Sequence, residues 1–393
     1  MPLLPVADAF EEPEHIRMIR ATVRRIVDQH MPREAARRWD KNNEYPKEVM
    51  ARLAEAGLMG LTVEETYGGA GIDLVATMAV IEELAKRSVA VACPYIMAVC
   101  YAGMNLGESA NEDQKRALLP RVAAGDLLFA YGLSEPNVGG DLAMVETTAR
   151  QEGDTLIVNG TKRWCTGAHI ADYIFCLLRT GPKDAKYKNL SIVLVPADAP
   201  GVSTSPLGHL GIRGVETQDA RFDGVRVPAS QILGGPQMMN RGWEQLAGRA
   251  LEVEKLELSA CAVGLASAAV EDAWVYAEER VQFGRPIAAH QAIRHALADA
   301  RTKVQAMRHM LYHATRLAND NKPCSVETSM AKLFCCEGAA EVTLACQRVV
   351  GAYGLSDSMD MERYVRDAIS LPIVGGSSNM QRNNIANRLK LGA

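Results

Sequence analysis

The chain reads as an α+β protein in which a helical segment, a strand-rich segment and a second helical segment follow one another. Three observations predict this. Up to about residue 125 the apolar residues recur at helical spacing. From there to about 236 the pattern breaks into short β-branched and aromatic runs separated by Gly, Asp and Pro. From Trp243 the chain turns Ala-rich and helical again. At 393 residues, 48% hydrophobic and 23% charged, it is long enough for more than one core and has the composition of an ordered globular protein. The boundaries that follow are 1–125, 126–236 and 237–393.

In the first segment, IRMIRATVRRIV places Ile16, Ile19, Val23 and Ile26 on one helix face. EVMARLAEAGLMGL is a second helical stretch, closed by glycines. The loop ETYGGAGID after it reads as a turn, because its Gly cluster lacks the strand–helix setting and the Lys of a phosphate loop. MAVIEELAKR is a further helix and leads into the apolar run ACPYIMAVCYAGMNLG. In the middle segment LLFAYGLS, TLIVNGTKRW, YIFCLLRT, LSIVLVPA, TSPLGHLG and ARFDGVRVPASQIL read as strands. The last segment opens with a long Ala-rich helix from Trp243 toward Phe283, and at least two more follow.

Composition excludes several classes. A net charge of -4 argues against a dedicated nucleic-acid binder. No uninterrupted apolar run of membrane length is evident, and MPLLPVADAFEEPEH has neither a basic leader with an apolar run nor the Arg-rich character of a transit peptide. Nine scattered cysteines without a C-x-x-C pair suit a reducing cytoplasm better than a disulfide framework. His169, His209, His290 and His295 form no metal-ligand spacing with acidic or Cys partners, so no metal is expected. A G-x-S-x-G elbow for hydrolysis is also missing.

The most informative stretch runs from Tyr131 to Thr166: YGLSEPNVGGD, then a polar passage ending NGTKRWCTG. A large aromatic can cover one face of a planar ring system, while hydroxyls and backbone N–H groups meet its polar edge. A plain β-domain with a buried Trp and a Gly turn would use some of the same residues. The string resembles the flavin-holding sheet of the acyl-CoA dehydrogenase family. Four further landmarks stand in that family's order: GLMGLTVEETYGGAG (57–71), GIRGVETQDARFDGVRVP (211–228), ERVQFGRPIAAHQAI (279–293) and RDAISLPIVGGSSNMQR (366–382). The resemblance covers nearly the whole chain. It implies an N-terminal helical domain, a β-barrel-like middle domain and a C-terminal four-helix bundle.

It also implies a reaction: FAD-dependent α,β-dehydrogenation of an acyl-CoA thioester to a trans-2-enoyl-CoA, with electrons passed to an electron-transfer flavoprotein, in lipid metabolism. Such chemistry needs a carboxylate in a dry pocket to take the α proton, donors for the thioester oxygen, and a flavin flat against the Cα–Cβ bond. Many members carry the Glu in a YEGTS-like motif late in the chain. Here that string is VGGSS, and the position holds Gly375. The subset typified by isovaleryl-CoA dehydrogenase takes its Glu from a helix with an LDLER-like motif, matched here by LEVEK at 251–255, which makes Glu254 the expected base. Taken alone, Glu254 reads as a solvated helix residue. Glu252 and Glu254 point about 200° apart on a helix, so only one of them can face a given site.

Carried over residue by residue, Tyr131, Leu133 and Ser134 lie along the flavin, Trp164 stacks over its ring and Thr166 reaches its polar edge. In family tetramers the segment at 279–284 meets the FAD of a neighbouring subunit. Arg280 then faces the pyrophosphate, with Phe283 and Gln291 toward the adenosine, and Ser377 and Asn379 beside the adenine portion. The backbone N–H of Gly375 is the candidate thioester donor. Departures from the family pattern are Gly140, where a Ser often touches the CoA arm; Arg348 with Gly351 and Ala352, in place of Gln and Gly-Gly near the neighbour's FAD; and Lys255, in place of Arg, beside the substrate. Tyr95, Met97, Val99 and Tyr101 are expected to line the acyl pocket, which the small Gly375 leaves roomy enough for a branched or bulky group. Arg87 could meet an acidic acyl terminus, although such an Arg is more often a solvated helix end. Alternatives on the same fold are an enoyl-CoA reductase, a non-oxidative relative such as a desulfinase, and a flavin monooxygenase. A degenerate binding protein is the further rival.

Overall fold

A computed structural model describes residues 12–392. The leader reading rests largely on residues 1–11, which lie outside the described residues. The helix Glu14–His30 buries Ile16, Val23, Ile26 and Val27, the stripe that its spacing requires. After Arg33–Asn42 and Lys47–Glu55 the chain makes a two-stranded hairpin, Thr62–Val63 with Gly71–Ile72. The Gly cluster is its turn. A side chain on Gly69 would collide with the Val63 backbone, so only glycine lets the two strands close. Leu74–Arg87, capped by Asp73 accepting from Ala76 N, is almost wholly buried.

The apolar run 92–107 is one irregular helical rod. Val89–Ile96 passes into a π-helical stretch, Met97–Met104, and then into Asn105–Ser109. Such a π stretch rotates the side chains that follow it relative to a regular helix. Here it carries Tyr101 and Asn105 over to Tyr131. The Tyr101 and Tyr131 rings stack at 3.8 Å, and Asn105 Nδ2 donates to Tyr131 Oη at 2.7 Å.

The middle segment is a curled seven-stranded sheet. Its order is Phe129–Gly132, Tyr173–Arg179, Thr148–Glu152, Thr155–Thr166, Thr217–Pro228 and Val202–Pro206, with Leu190–Pro196 also pairing to Tyr173–Arg179. Two expected strands shrink. Of TSPLGHLG only the part up to Pro206 is strand, and all five residues of ASQIL leave the strand after Pro228. Thr148–Glu152 was not anticipated from the sequence. It buries only Ala149, so it shows no apolar alternation.

The C-terminal segment comprises Arg249–Glu279, Gln291–Asn319, Ser325–Val350, Met361–Ser370 and Ser378–Arg388. The two helical segments, far apart in sequence, share one hydrophobic core. An ion cluster ties them together. Glu82, on Leu74–Arg87, accepts from Arg20 at 2.8 Å, from the Tyr312 hydroxyl at 2.8 Å and from Arg308. Burial alone would raise that carboxyl, but Arg20 and Arg308 hold it well below the usual carboxylate range.

By length and hydropathy two helical stretches would pass as membrane spans, Val89–Ser109 and Gly242–Glu279. In the fold 89% and 72% of their apolar windows are buried inside the protein. Neither stretch is an uninterrupted apolar run, since each is broken by polar residues. Both are core helices, apolar because they are packed on all sides.

Candidate active site

Glu254 sits in the second turn of Arg249–Glu279, half-buried and facing the turn 371–376. Burial pushes its carboxyl up to about 7, against the pull of the Lys332 and Lys255 ammonium groups. Gly375 is its neighbour in space: a Cβ built there would lie 3.6 Å from Glu254 Oε1 and overlap Leu258 Cδ1. The turn is held from beneath. Lys332 Nζ donates to Val374 O at 2.8 Å, Gly376 O at 2.7 Å and Leu371 O at 3.3 Å, and Gln381 Nε2 donates to Gly376 O at 2.9 Å. Positive φ at Gly375 (59°) and Gly376 (79°) makes the reversal possible.

Glu252 faces away, as helical geometry requires. It accepts from Lys255 Nζ at 2.8 Å, Ser325 Oγ at 2.8 Å and the Thr328 hydroxyl. Lys255 is therefore buried and ion-paired to Glu252, and the expectation that it meets substrate is corrected. Its charge reaches Glu254 only through space. Tyr95 is corrected too. It is fully buried in the helical core, and its hydroxyl is spent on Leu58 O at 3.0 Å. Met97 packs onto Gly167 and Val99 is buried, which leaves Tyr101 as the half-exposed member of that set. Arg87 bonds Met31 O and Asp28 (2.9 Å), the ordinary helix-end arrangement.

On the sheet, Tyr131, Leu133 and Ser134 are half-buried on and just after the strand Phe129–Gly132. Their loop is pinned by a buried pair. Lys162 Nζ donates to Glu135 Oε1 at 2.8 Å and to Leu133 O at 3.1 Å, and Glu135 also accepts from Glu146 N and Thr147 N. Trp164 lies in a register shift between Lys162 and Cys165, with φ 66° and 58% exposure. A β-bulge of this kind re-aims a side chain out of the sheet's alternation. Thr166 Oγ1 lies 3.0 Å from Thr217 Oγ1. An exposed indole turned off the sheet, with hydroxyls and half-buried strand residues beside it, fits a planar cofactor better than it fits water.

Ser377 caps Ser378–Arg388, accepting from Met380 N, and Asn379 is exposed in its first turn, 3.3 Å from Arg382 Nη1. Gly140 approaches this helix: a Cβ there would lie 3.4 Å from Met380 Sδ. Arg280, Phe283 and Gln291 are not brought to the site. They cluster in the exposed hairpin Val281–Gln282/Arg285–Pro286 and just beyond it, with Phe283 93% exposed. Residue 280 is 26 positions along the helix from Glu254, which separates them by roughly 40 Å. Arg348 is exposed in the last turn of Ser325–Val350, and Gly351 (φ 71°) ends that helix, while Gln347 is committed to Gly354 O. The sequence reading missed Lys332, Asn105 and Glu135–Lys162. Lys332 and Asn105 are single polar residues in otherwise plain helical runs, and Glu135 and Lys162 stand in two separate strings whose pairing only the fold reveals.

Three family models match: the N-terminal domain of acyl-CoA dehydrogenase over residues 13–126, its middle domain over 130–225 and its C-terminal domain over 240–390. A probable acyl-CoA dehydrogenase of Bacillus subtilis is 34% identical over 97% of this chain and 99% of its own. Among solved structures, butyryl-CoA dehydrogenase of Megasphaera elsdenii superposes with a TM-score of 0.92 at 28% identity, covering 97% of this chain and 99% of that one. A chain from the electron transferring flavoprotein study of Acidaminococcus fermentans also gives 0.92, at 29% identity, covering 98% and 100%.

Proposed function

The chain belongs to the acyl-CoA dehydrogenase family, FAD-dependent oxidoreductases acting on the CH–CH bond of acyl-CoA thioesters, and on that premise we propose that Glu254 is the base that takes the α proton. The observation that carries the reading is the pairing of Glu254 with the side-chain-free Gly375. One position supplies a carboxyl, and the other, bare of a side chain, lets the turn approach that carboxyl and Leu258 closely. A carboxyl poised near 7 is half-ionised at neutral pH and basic enough to deprotonate a carbon acid next to a thioester. The Gly375 N–H would stabilise the thioester oxygen, where negative charge grows as the proton leaves. Lys332 contributes indirectly by fixing the turn that presents that N–H.

FAD, when bound, supplies the hydride acceptor. Tyr131, Leu133, Ser134, Trp164 and Thr166 would hold its ring system, and Ser377 and Asn379 its adenine portion. Arg280, Phe283, Gln291, Arg348 and Gly351 stand too far along their helices to serve the same ring, which favours a homotetramer in which they meet the FAD of a neighbour. Gly140 would lie along the CoA arm. The likeness to the chain from the electron transferring flavoprotein study supports such a flavoprotein as electron acceptor. Nine free thiols suit a reducing cytoplasm.

The test is anaerobic addition of a panel of saturated acyl-CoA thioesters to the yellow holoprotein. Bleaching by at least one of them, and its loss in Glu254→Gln with the FAD still bound, is the expected result. Normal bleaching by that variant would refute the assignment.

A further inference from the structure

The helix that carries Glu254 carries a second acid one turn further on, and the proposed reaction does not use it. Glu257 is fully buried, and neither carboxyl oxygen has a hydrogen-bond partner of ordinary geometry. The Cys100 thiol and the Tyr101 hydroxyl, both on the π-helical stretch, are the polar groups that come nearest. A carboxyl buried without a firm partner is costly, so its presence calls for an explanation.

Its position suggests one. Residues three apart on a helix share a face, so Glu257 points to the same side as Glu254 and lies deeper. The Tyr101–Tyr131 stack joins the π-helical stretch to the sheet, and both rings sense both carboxyls. Among the described residues, the titratable groups that act on Glu257 or feel it are Glu254, Tyr101, Tyr131, Cys93, Cys100 and Cys261, none of them cationic. With burial as the dominant influence, its carboxyl rises well above the usual range. It is then a neutral acid, able both to donate and to accept a hydrogen bond.

We propose that Glu257 is the polar end of the acyl pocket, and that the acyl group this enzyme accepts carries an uncharged oxygen function, a hydroxyl or a ketone, about three carbons beyond the α carbon. The distance follows from the helix, which advances roughly 4.5 Å over three residues, about the span of three extended C–C bonds and a little more. The chemistry follows from the pocket. A plain alkyl chain leaves the carboxyl bare, a carboxylate would face two acids, and an ammonium would have to be desolvated together with an ionised Glu257 at a fully buried position, a cost that an uncharged oxygen function avoids. The inference rests on the reading of Glu254 as the base.

The experiment measures kcat/KM of the FAD-loaded enzyme with hexanoyl-CoA, 5-hydroxyhexanoyl-CoA and 5-oxohexanoyl-CoA, for the wild type, Glu257→Gln and Glu257→Leu. The wild type is expected to favour an oxygenated thioester by about tenfold, the worth of one good buried hydrogen bond. Glu257→Gln, which keeps a donor and an acceptor, should hold that ratio within about threefold, and Glu257→Leu should invert it. A wild-type preference for hexanoyl-CoA, or one ratio shared by wild type and Glu257→Leu, overturns the proposal. The wild-type and Gln ratios decide it even where the Leu variant does not fold. If hexanoyl-CoA reacts through Glu254 with no preference for oxygen, this inference alone falls. If no thioester bleaches the wild-type flavin, the base assignment fails and takes this inference with it.

Discussion

Glu254 and Gly375 face each other across the site, close enough that a single methyl on Gly375 would come within 3.6 Å of the Glu254 carboxyl. The space at 375 and the acid at 254 are two halves of one arrangement. Gly375→Ala tests the first half. Its φ of 59° disfavours any side chain, and the new methyl would overlap Leu258 Cδ1. We expect a loss of about 1–3 kcal/mol in urea unfolding, with turnover falling further than FAD content. Adding Leu258→Ala should recover part of the turnover, because it removes the overlap and leaves only the backbone strain.

The raised carboxyl of Glu254 gives opposite pH trends for rate and stability. In the proposed role the ionised form takes the proton, so kcat/KM should rise with pH and level off above about 7. The folded protein holds a proton at Glu254 that the unfolded chain has already released between the ordinary carboxyl range and about 7. Its contribution to stability is therefore complete at low pH and is lost as pH climbs to about 7. Compared with Glu254→Gln, the wild type should lose about 3 kcal/mol more over that interval. Parallel unfolding curves for the two proteins across this range would rule out the shift.

Lys332→Met should move the rate profile to higher pH, since Lys332 is the larger of the two influences that lower the Glu254 carboxyl. It also removes three hydrogen bonds to the 371–376 turn, leaving Gly376 O with Gln381 as its partner. A stability loss of about 1–3 kcal/mol should accompany the shift. A variant with weakened stability and an unmoved pH midpoint would make Lys332 purely structural.

Lys162→Met leaves the Glu135 carboxylate buried without its cation, beneath the loop that carries Leu133 and Ser134. Removing one partner of such a pair costs about 3–5 kcal/mol, far more than the pair itself contributes. The double variant Lys162→Met/Glu135→Gln should be more stable than Lys162→Met alone. Thermal unfolding with and without added FAD measures both.

Much of this was legible in the chain. The change from helical to strand-like periodicity and back marks the sheet, and the family resemblance, with Gly at 375 and Glu at 254, points to the proposed base. The placement of individual side chains was less legible. Thr148–Glu152 buries one residue in five, so its strand is made by pairing with Thr155–Thr166 and not by its own pattern. Tyr95 and Tyr101 look alike in an apolar run, yet Tyr95 stays in the core while Tyr101, inside the π-helical stretch that starts at Met97, is turned against Tyr131.

The divergence of Glu252 from Glu254 and the lack of an acid at Gly375 could be read from the chain alone, because helix geometry and the absence of a side chain are local properties. Only the tertiary structure decided that Lys255 answers Glu252, that Lys332 holds the turn opposite Glu254, and that Glu257 is buried with no firm partner. Those outcomes depend on which distant segment arrives at a given helix face, and the core shared by the two helical segments settles that.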